Sequence, residues 1–227
     1  MKRNGFMLAM LTLALTFTAA LVTGCVKQDS GGGAASGGGS VGGAVKNPRG
    51  AAPATDFSFD LTEDGAGVVI TGYSGKGGKV VIPAAIEDVP VIEIRRRAFY
   101  ENYDITELVV PDSVITIGDT AFAGMSSLTS VTLPDGWKEI PEYLFYDVVV
   151  DGNLNEFPCE KLTSVNLPAG LESVGNSAFS NAGELVNLTI PDSLTSIKFG
   201  RYVFQGCGKL PIKTRQRLKE LGYTGSF

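Results

Sequence analysis

The sequence of 227 residues contains no histidine. Without an imidazole, the chain cannot form a Ser–His or Cys–His nucleophilic pair, an imidazole metal ligand or a histidine pH switch. Basic residues are also few, because 19 Lys and Arg stand against 24 Asp and Glu and leave a net charge of −5. A general nucleic-acid-binding protein would carry a basic surface instead. The composition therefore argues against histidine-based catalysis and against nucleic-acid partners.

Residues 1–24 have the layout of a secretory signal. Two basic residues precede an apolar run from Phe6 to Val22, which is short for a membrane span. The run ends in Leu21-Val-Thr-Gly-Cys25, a phrase that resembles the bacterial lipoprotein signal. That resemblance implies cleavage before Cys25 and acyl chains on its side chain, and two or more chains hold a protein stably on a membrane. The alternative is an uncleaved anchor with an incidental cysteine.

Residues 25–55 are predicted to be a flexible tether. This stretch is dominated by Gly, Ser and Ala from Ser30 to Ala44, and its low complexity continues to about Ala54. Such a composition buries too little apolar surface to offset the entropy of ordering the chain. About thirty residues of this kind have a root-mean-square reach of roughly 30 Å. The folded domain is predicted to comprise residues 56–227.

One short phrase repeats four times in that domain and is preceded by a truncated copy, Lys79–Pro83. The full copies are Ile105–Pro111, Leu128–Pro134, Leu162–Pro168 and Leu185–Pro191. Their prolines are 23, 34 and 23 residues apart, so the unit is 23 residues long and one copy carries an 11-residue insertion. After each proline come two apolar residues three apart (Val114 and Ile117, Trp137 and Ile140, Leu171 and Val174, Leu194 and Ile197) and then a phenylalanine. A period of this size predicts a solenoid, in which each unit buries its apolar edge against its neighbours.

The local patterns predict the parts of this solenoid. Alternating apolar and polar residues before each proline predict a short strand, which the proline ends. The phenylalanines, with Phe99 in front, predict a buried column of five rings. A β-hairpin that covers the first coil is predicted from Phe57–Leu61 and Val68–Thr71. The segment from Lys213 predicts a capping helix. Its N-cap would be Thr214, its inward residues Leu218 and Leu221, and its stop Gly222.

The full pattern, L-x-x-L-x-L-P-x-x-L-x-x-I-G-x-x-A-F-x-x-C, resembles the BspA type of leucine-rich repeat and extends from about Gly72 to Leu210. The resemblance implies a leucine-rich repeat solenoid that is mostly β, with a parallel sheet on the concave face. In this scheme an N-terminal cap occupies residues 56–78, about five repeats occupy 79–210, and a C-terminal cap occupies 211–227. Two departures stand out: Pro141 and Pro158 lie in the third copy, and the fifth copy is two residues too long around Lys198–Tyr202.

Two cysteines occupy the family's cysteine position, Cys159 and Cys207. They belong to coils two apart, so at about 4.8 Å per strand their Cα atoms should be roughly 10 Å apart. A disulfide needs a shorter separation, although an exported protein would favour one. We therefore expect two buried thiols.

The outward strand residues are the predicted protein-binding set. Beyond Lys79 and Val81 in the truncated copy, they are Glu107, Val109, Ser130, Thr132, Ser164, Asn166, Asn187 and Thr189. The same residues would equally suit a strand that binds nothing.

The insertion, Tyr146–Phe157, predicts a protruding hairpin that exposes Val149. Tyr100 and Tyr146, at equivalent positions, are expected to form an aromatic patch beside it. Arg95, Arg96 and Arg97 suit either a solvated corner or an acidic ligand.

The resemblance implies a surface lipoprotein on the outer membrane or cell surface that adheres to host matrix proteins or to other cells. The alternative is a structural envelope lipoprotein that assembles with itself through the insertion. Neither reading calls for an enzymatic activity, a cofactor or a metal.

Overall fold

A computed structural model describes residues 45–150 and 154–227. The predicted signal peptide, Cys25 and most of the predicted tether lie outside the described residues. Strands are numbered β1 to β15 in chain order. Among the described residues, no helix has both the length and the apolar character needed to cross a bilayer.

The repeated phrase forms a parallel sheet of five strands, as predicted. The strands are β3 (Gly78–Val81), β6 (Ile105–Val109), β8 (Ser130–Thr132), β12 (Ser164–Asn166) and β14 (Asn187–Thr189). They lie side by side in chain order, so each coil adds one strand. Their inward residues are aligned and buried: Val80, Leu108, Val131, Val165 and Leu188. The chain is therefore a solenoid of about five turns.

A second set of short parallel strands follows the prolines. β5 (Val89–Ile94) pairs with β7 (Thr116–Ile117), and β9 (Glu139–Ile140), β13 (Ser173–Val174) and β15 (Lys198–Phe199) pair in that order. The predicted equivalence of Ile197 with Val174 is wrong, because Val174 aligns with Phe199. The two extra residues of the fifth copy cause this shift. Ile197 is still buried, and its N–H donates to the carbonyl of Leu221 at 2.8 Å, which ties the last coil to the C-terminal cap.

The predicted aromatic column is confirmed. Phe99, Phe122, Phe145, Phe179 and Phe204 are fully buried, and successive ring centroids are 5.7, 5.7, 5.2 and 5.3 Å apart. The column continues beyond both ends: Phe57 and Tyr73 pack on the first ring, and Tyr223 and Phe227 pack on the last. Aromatic pairs at these separations add to the free energy of burial itself.

The backbone at this corner adopts a conformation that the sequence did not reveal. The residue two before each phenylalanine has a positive φ of 52–61°, although none of the five is glycine (Arg97, Thr120, Tyr143, Ser177 and Tyr202). Left-handed geometry at such residues costs on the order of 1 kcal/mol or more each. The turn is held because the N–H of each of the first four phenylalanines donates to a carbonyl of the following coil, for example Phe122 to Leu144 at 3.0 Å.

The N-terminal cap is a β-hairpin, as predicted. β1 (Phe57–Leu61) and β2 (Val68–Tyr73) pair antiparallel, and β2 continues in parallel onto β5. The short strand β4 (Ala85–Ile86) pairs antiparallel with the start of β5.

The folded region also begins earlier than the predicted boundary at residue 56. A short 3₁₀ helix covers Ala54–Asp56, the N–H of Ala52 donates to the carbonyl of Val81 at 2.8 Å, and Asn47 Oδ1 accepts from the N–H of Ala85 at 2.8 Å. These residues cover the outer edge of β3, where an open strand edge would otherwise expose unpaired backbone groups.

The C-terminal cap is the helix α1 (Ile212–Glu220), which is followed by Gly222 at a φ of 113°. The predicted N-cap, Thr214, is wrong, because Pro211 occupies that position. A proline suits a helix start, since its φ is already fixed and its missing N–H would have no helical partner there. Leu218 and Leu221 are buried against the last coil, as predicted.

Both described cysteines are free and buried, as predicted. Each thiol donates to the carbonyl of the phenylalanine one coil earlier, from Cys159 to Phe122 at 3.0 Å and from Cys207 to Phe179 at 3.1 Å. Burial raises the pKa of each thiol to about 12. The thiols therefore act as small core groups that link neighbouring coils.

We expect the substitution Phe179→Ala to lower the free energy of unfolding by about 3–5 kcal/mol, because it removes a ring packed on both faces and leaves a cavity. Urea denaturation of the full-length protein measures this change. Tyr103→Ala is the control, since that aromatic side chain is largely exposed and its loss should cost about 0.5 kcal/mol or less. Equal losses in the two variants would contradict the column as the main source of stability.

We expect neither Cys159 nor Cys207 to react with a thiol reagent at pH 8 until the protein unfolds. In a Cys25→Ser background, the reaction with DTNB measures both thiols, and a Ser196→Cys variant supplies an exposed thiol as control. The raised pKa also means that their contribution to stability is complete below about pH 8.5, the unfolded value. That contribution should be lost as the pH rises towards 12. A native thiol that reacts as fast as the exposed control would contradict the burial.

Candidate binding surfaces

The outward side chains of the main sheet form two columns that run across all five coils. One column comprises Lys79, Glu107, Ser130, Ser164 and Asn187, and the other comprises Val81, Val109, Thr132, Asn166 and Thr189. The structure therefore brings the eight predicted strand residues together on one face. Four steps between neighbouring strands give the face a width of about 19 Å.

This concave face carries few charges. Its only charged side chains, Lys79 and Glu107, form an ion pair of 3.0 Å at its N-terminal end. Both are well exposed, so the pair contributes at most about 1 kcal/mol to stability. Thr132, Asn187 and Thr189 are also exposed, whereas Val109, Ser130, Ser164 and Asn166 are half-buried. The face thus offers small polar groups without a strong electrostatic field.

Two residues of the columns differ from the expectation. Val81 is buried at 7% exposure, because the segment around Ala52 covers it. Asn166 is occupied within the chain: its Oδ1 accepts from the N–H of Leu133 at 2.8 Å, and its Nδ2 donates to the carbonyl of Leu133 at 3.0 Å. The asparagine amide therefore extends the pairing of β8 with β12 by one step and is less available to a partner.

A threonine ladder lies where the strands begin, and sequence reasoning missed it. Thr129 Oγ1 donates to the carbonyl of Thr106 at 2.8 Å, and Thr163 Oγ1 donates to the carbonyl of Thr129 at 2.9 Å. The signal was present, because threonine is the second residue in three of the four full phrases. These hydroxyls reinforce the contact between coils and are not free for a ligand.

The insertion forms the predicted hairpin. β10 (Val148–Val150) and β11 (Leu154–Glu156) pair antiparallel, and reciprocal hydrogen bonds between Asp147 and Phe157 close the base of the hairpin. The side chain of Val149 lies outside the described residues, so its predicted role stays a prediction.

Residues from the first and fourth coils clamp the base of this hairpin. The guanidinium of Arg97 pairs with the carboxylate of Asp147 at 2.7 Å and lies over the ring of Tyr100, which packs in turn on Phe157 with centroids 5.7 Å apart. On the other flank, Asn181 Nδ2 donates to Glu156 Oε2 at 2.8 Å. The Asp147 side chain is only 12% exposed, so water weakens its ion pair less than it weakens a surface pair.

The predicted two-tyrosine patch is wrong, because Tyr146 is buried at 7% exposure while Tyr100 is half-buried. Burial raises the pKa of Tyr146 to about 12, and the nearby carboxylate of Glu156 adds to this effect. Two of the three arginines form ion pairs within the chain, Arg95 with Asp60 at 2.8 Å and Arg97 with Asp147. These pairs favour the solvated corner over a site for an acidic ligand.

Comparisons with known proteins agree with this architecture. The model of a family described as BspA type leucine rich repeat region matches residues 92–211 in six copies. No curated protein matches the chain. A leucine-rich repeat protein from Bacteroides ovatus is similar in structure, with a TM-score of 0.50 and 25% identity, over 68% of this chain and 44% of that one. This chain thus spans less than half the length of that protein.

Two further solved structures are similar at lower TM-scores. The T. pallidum leucine-rich repeat protein is 28% identical over 78% of this chain and 98% of that one, with a TM-score of 0.47. A leucine-rich repeat protein from Bacteroides capillosus is 29% identical over 62% of this chain and 97% of that one, with a TM-score of 0.49. Since the family model covers more than half of the sequence, and the coils follow the repeat of the sequence, this chain belongs to the BspA-type leucine-rich repeat family.

Proposed function

We propose that the chain is a membrane-anchored module that binds another protein through the concave face, and that its role is adhesion to host matrix or to another cell. The two columns of outward side chains, most of them small and uncharged, are the observation that carries this proposal. Proteins of this repeat family and fold are typically non-enzymatic interaction modules. The strands of the sheet belong to a continuous core, so we expect a partner to lose little affinity to reordering of this surface.

The size of the face limits how a partner can use it. Two outward residues along each strand span about 7 Å, so the sheet offers a footprint of roughly 7 by 19 Å. A stable protein–protein contact buries about 800 Å² on each side, which is several times larger. A tightly bound partner must therefore extend past the sheet onto neighbouring turns. The loops after the prolines adjoin the sheet and are the nearest such turns.

The proposed anchor is a set of acyl chains on Cys25. The sequence between Cys25 and the first described residues is rich in Gly, Ser and Ala, which suits a tether that lets the domain meet a partner at a distance from the bilayer. Two or more acyl chains would hold the protein on an outer membrane or cell surface without a spanning helix.

A second candidate function is self-assembly into an envelope structure. The insertion hairpin favours it, since in the described part of the chain β10 and β11 pair only with each other and each has an outer edge. Unpaired strand edges are common sites of association between chains. The size of the purified protein would then grow with concentration, whereas a monovalent adhesin would keep one size.

We expect Cys25→Ser to move the protein from the detergent phase to the aqueous phase in Triton X-114 partition of expressing bacteria, because the acyl chains would be lost. Cys207→Ala is the control and should stay in the detergent phase. Proteinase K added to intact cells should digest the wild-type domain. Aqueous wild-type protein would contradict the anchor, and survival of the domain would contradict adhesion while leaving the anchor in place.

We expect Thr132→Arg to weaken binding of the full-length protein at least five-fold, because a long charged side chain would stand in the middle of the neutral face. Surface plasmon resonance on immobilised fibronectin, collagen and laminin, together with binding to whole cells, measures this loss. Thr195→Arg adds the same group at an exposed turn outside the sheet and should have no effect. The adhesion proposal fails if the wild type binds none of these targets, and the concave site fails if both variants bind equally well.

A further inference from the structure

The second set of strands is interrupted between the second and third coils. In each of the other coil pairs, two carbonyls of one coil accept hydrogen bonds from backbone N–H groups of the next coil. The acceptors and their donors are Ile92 with Ile115 and Ile94 with Gly118 in the first pair, Lys138 with Glu172 and Ile140 with Gly175 between the third and fourth coils, and Glu172 with Lys198 and Val174 with Gly200 in the last pair. The equivalent carbonyls of the second coil belong to Ile115 and Ile117. In the described part of the chain, neither accepts a backbone N–H, and β7 does not pair with β9.

Two residues of the third coil account for the interruption. Pro141 occupies the position of Gly118, Gly175 and Gly200, and it has no N–H to donate to Ile117. Those glycines also allow close approach, since a Cβ on Gly175 would lie 2.4 Å from the backbone nitrogen of Glu142. Trp137 occupies the position of the smaller Val114 and Leu171, and its indole N–H donates to the carbonyl of Val114 at 2.6 Å. A buried indole side chain therefore bonds to the second coil at this point.

The interruption opens a groove of about 550 Å³. Its wall includes Ile117, Trp137 and Ile115, and the side chain of Ile115 is 72% exposed, which is unusual for isoleucine. Its rim carries the carboxylates of Asp112, Asp119 and Glu139, which form no ion pair among the described residues. Among the described residues of the rim, Lys138 is the one cation, and it is already paired with Glu172 at 2.6 Å. The groove thus combines free backbone acceptors, an exposed apolar side chain and a negative rim.

We propose that this groove binds an extended, basic peptide segment of a partner protein by strand addition to β7. The peptide's N–H groups would donate to the carbonyls of Ile115 and Ile117, one apolar side chain would cover Ile115, and flanking Lys or Arg side chains would pair with Asp119 and Glu139. Strand addition supplies affinity through the main chain, and neighbouring side chains supply selectivity. The site lies apart from the concave face and does not depend on the function proposed for it.

The charge of the rim selects this occupant over a second copy of the chain. At a net charge of −5, another copy would be repelled by unpaired carboxylates, whereas a basic peptide would be attracted. The Lys138–Glu172 pair leaves this balance unchanged, because it is neutral as a unit.

Binding of labelled acetyl-Lys-Val-Lys-Val-Lys-amide to the full-length protein in detergent, followed by fluorescence anisotropy at low salt, tests the proposal. The acidic analogue with Glu in place of Lys should bind at least ten-fold more weakly. Two further peptides are methylated on backbone nitrogens. One carries the methyl groups on the backbone nitrogens of both valines, and the other carries them on the backbone nitrogens of the lysines at positions 1, 3 and 5. N–H groups alternate between the two edges of a strand, so strand addition requires one of these two peptides to lose at least ten-fold in affinity. Equal affinities for both methylated peptides and the parent would overturn it, because charge attraction alone ignores N–H groups.

Variants of the protein locate the site. Pro141→Gly restores the donor and the small residue that the other coils have, so it should close the ladder, raise the hydrogen-exchange protection of residues 115–118 and 138–141, and weaken the peptide at least ten-fold. The double substitution Asp119→Asn with Glu139→Gln should weaken it at least five-fold, and Asp192→Asn, an exposed carboxylate on another coil, should not change it. Full peptide affinity in the double variant would overturn the proposal, as would full affinity in a Pro141→Gly protein whose ladder has closed.

Discussion

The contact between one coil and the next is the interaction on which the whole molecule depends. Each coil contributes one phenylalanine to the buried column and one strand to the main sheet, so no coil has a core of its own. Rings spaced 5.2–5.7 Å apart and a parallel ladder of strands both join each coil to the next. The left-handed residues at the phenylalanine corner are tolerated because hydrogen bonds to the following coil hold them there. Both ends then need caps, and residues from Asn47 onward and the helix α1 supply them.

Because the inward half of each strand meets the needs of folding, the outward half is free to vary. This division explains why the concave face carries small polar residues without loss of stability. It also explains why the individual features of the chain occur where a coil departs from the repeat. The 11-residue insertion leaves the coil at Asp147 and returns at Phe157, and the clamp from Arg97 and Asn181 restrains it. Pro141 and Trp137 interrupt a ladder that the other coils complete.

The comparison of prediction with structure shows which features a periodic sequence reveals. The strands, the aromatic column and the buried thiols were predictable, because each depends on a pattern that recurs along the chain. The hairpin of the insertion was predictable from its own local pattern, three valines before Asp151-Gly152. Errors arose where the pattern was broken or where the chain ended. Ile197 was assigned to the position of Val174 from its spacing after the proline, which did not allow for the two extra residues of the fifth copy. Thr214 was chosen as the N-cap although the helix starts after Pro211. Tyr146 was expected at the surface, but a residue that follows a core phenylalanine is exposed only if nothing folds over it.

By itself, the sequence determined the repeat length, the residues that face inward and the family to which the chain belongs. Apolar periodicity is a local property, and it suffices to choose between the two faces of a strand. Only the tertiary structure decided how coils pair across the register shift in the fifth repeat, that Asn166 bonds to the backbone of Leu133, and that the carbonyls of Ile115 and Ile117 accept from no backbone N–H of the described residues. These features depend on the distance between residues about 25 to 35 positions apart. At the second and third coils, that distance reflects the bulk of Trp137 and the missing backbone N–H of Pro141, and no pattern within one coil reports it.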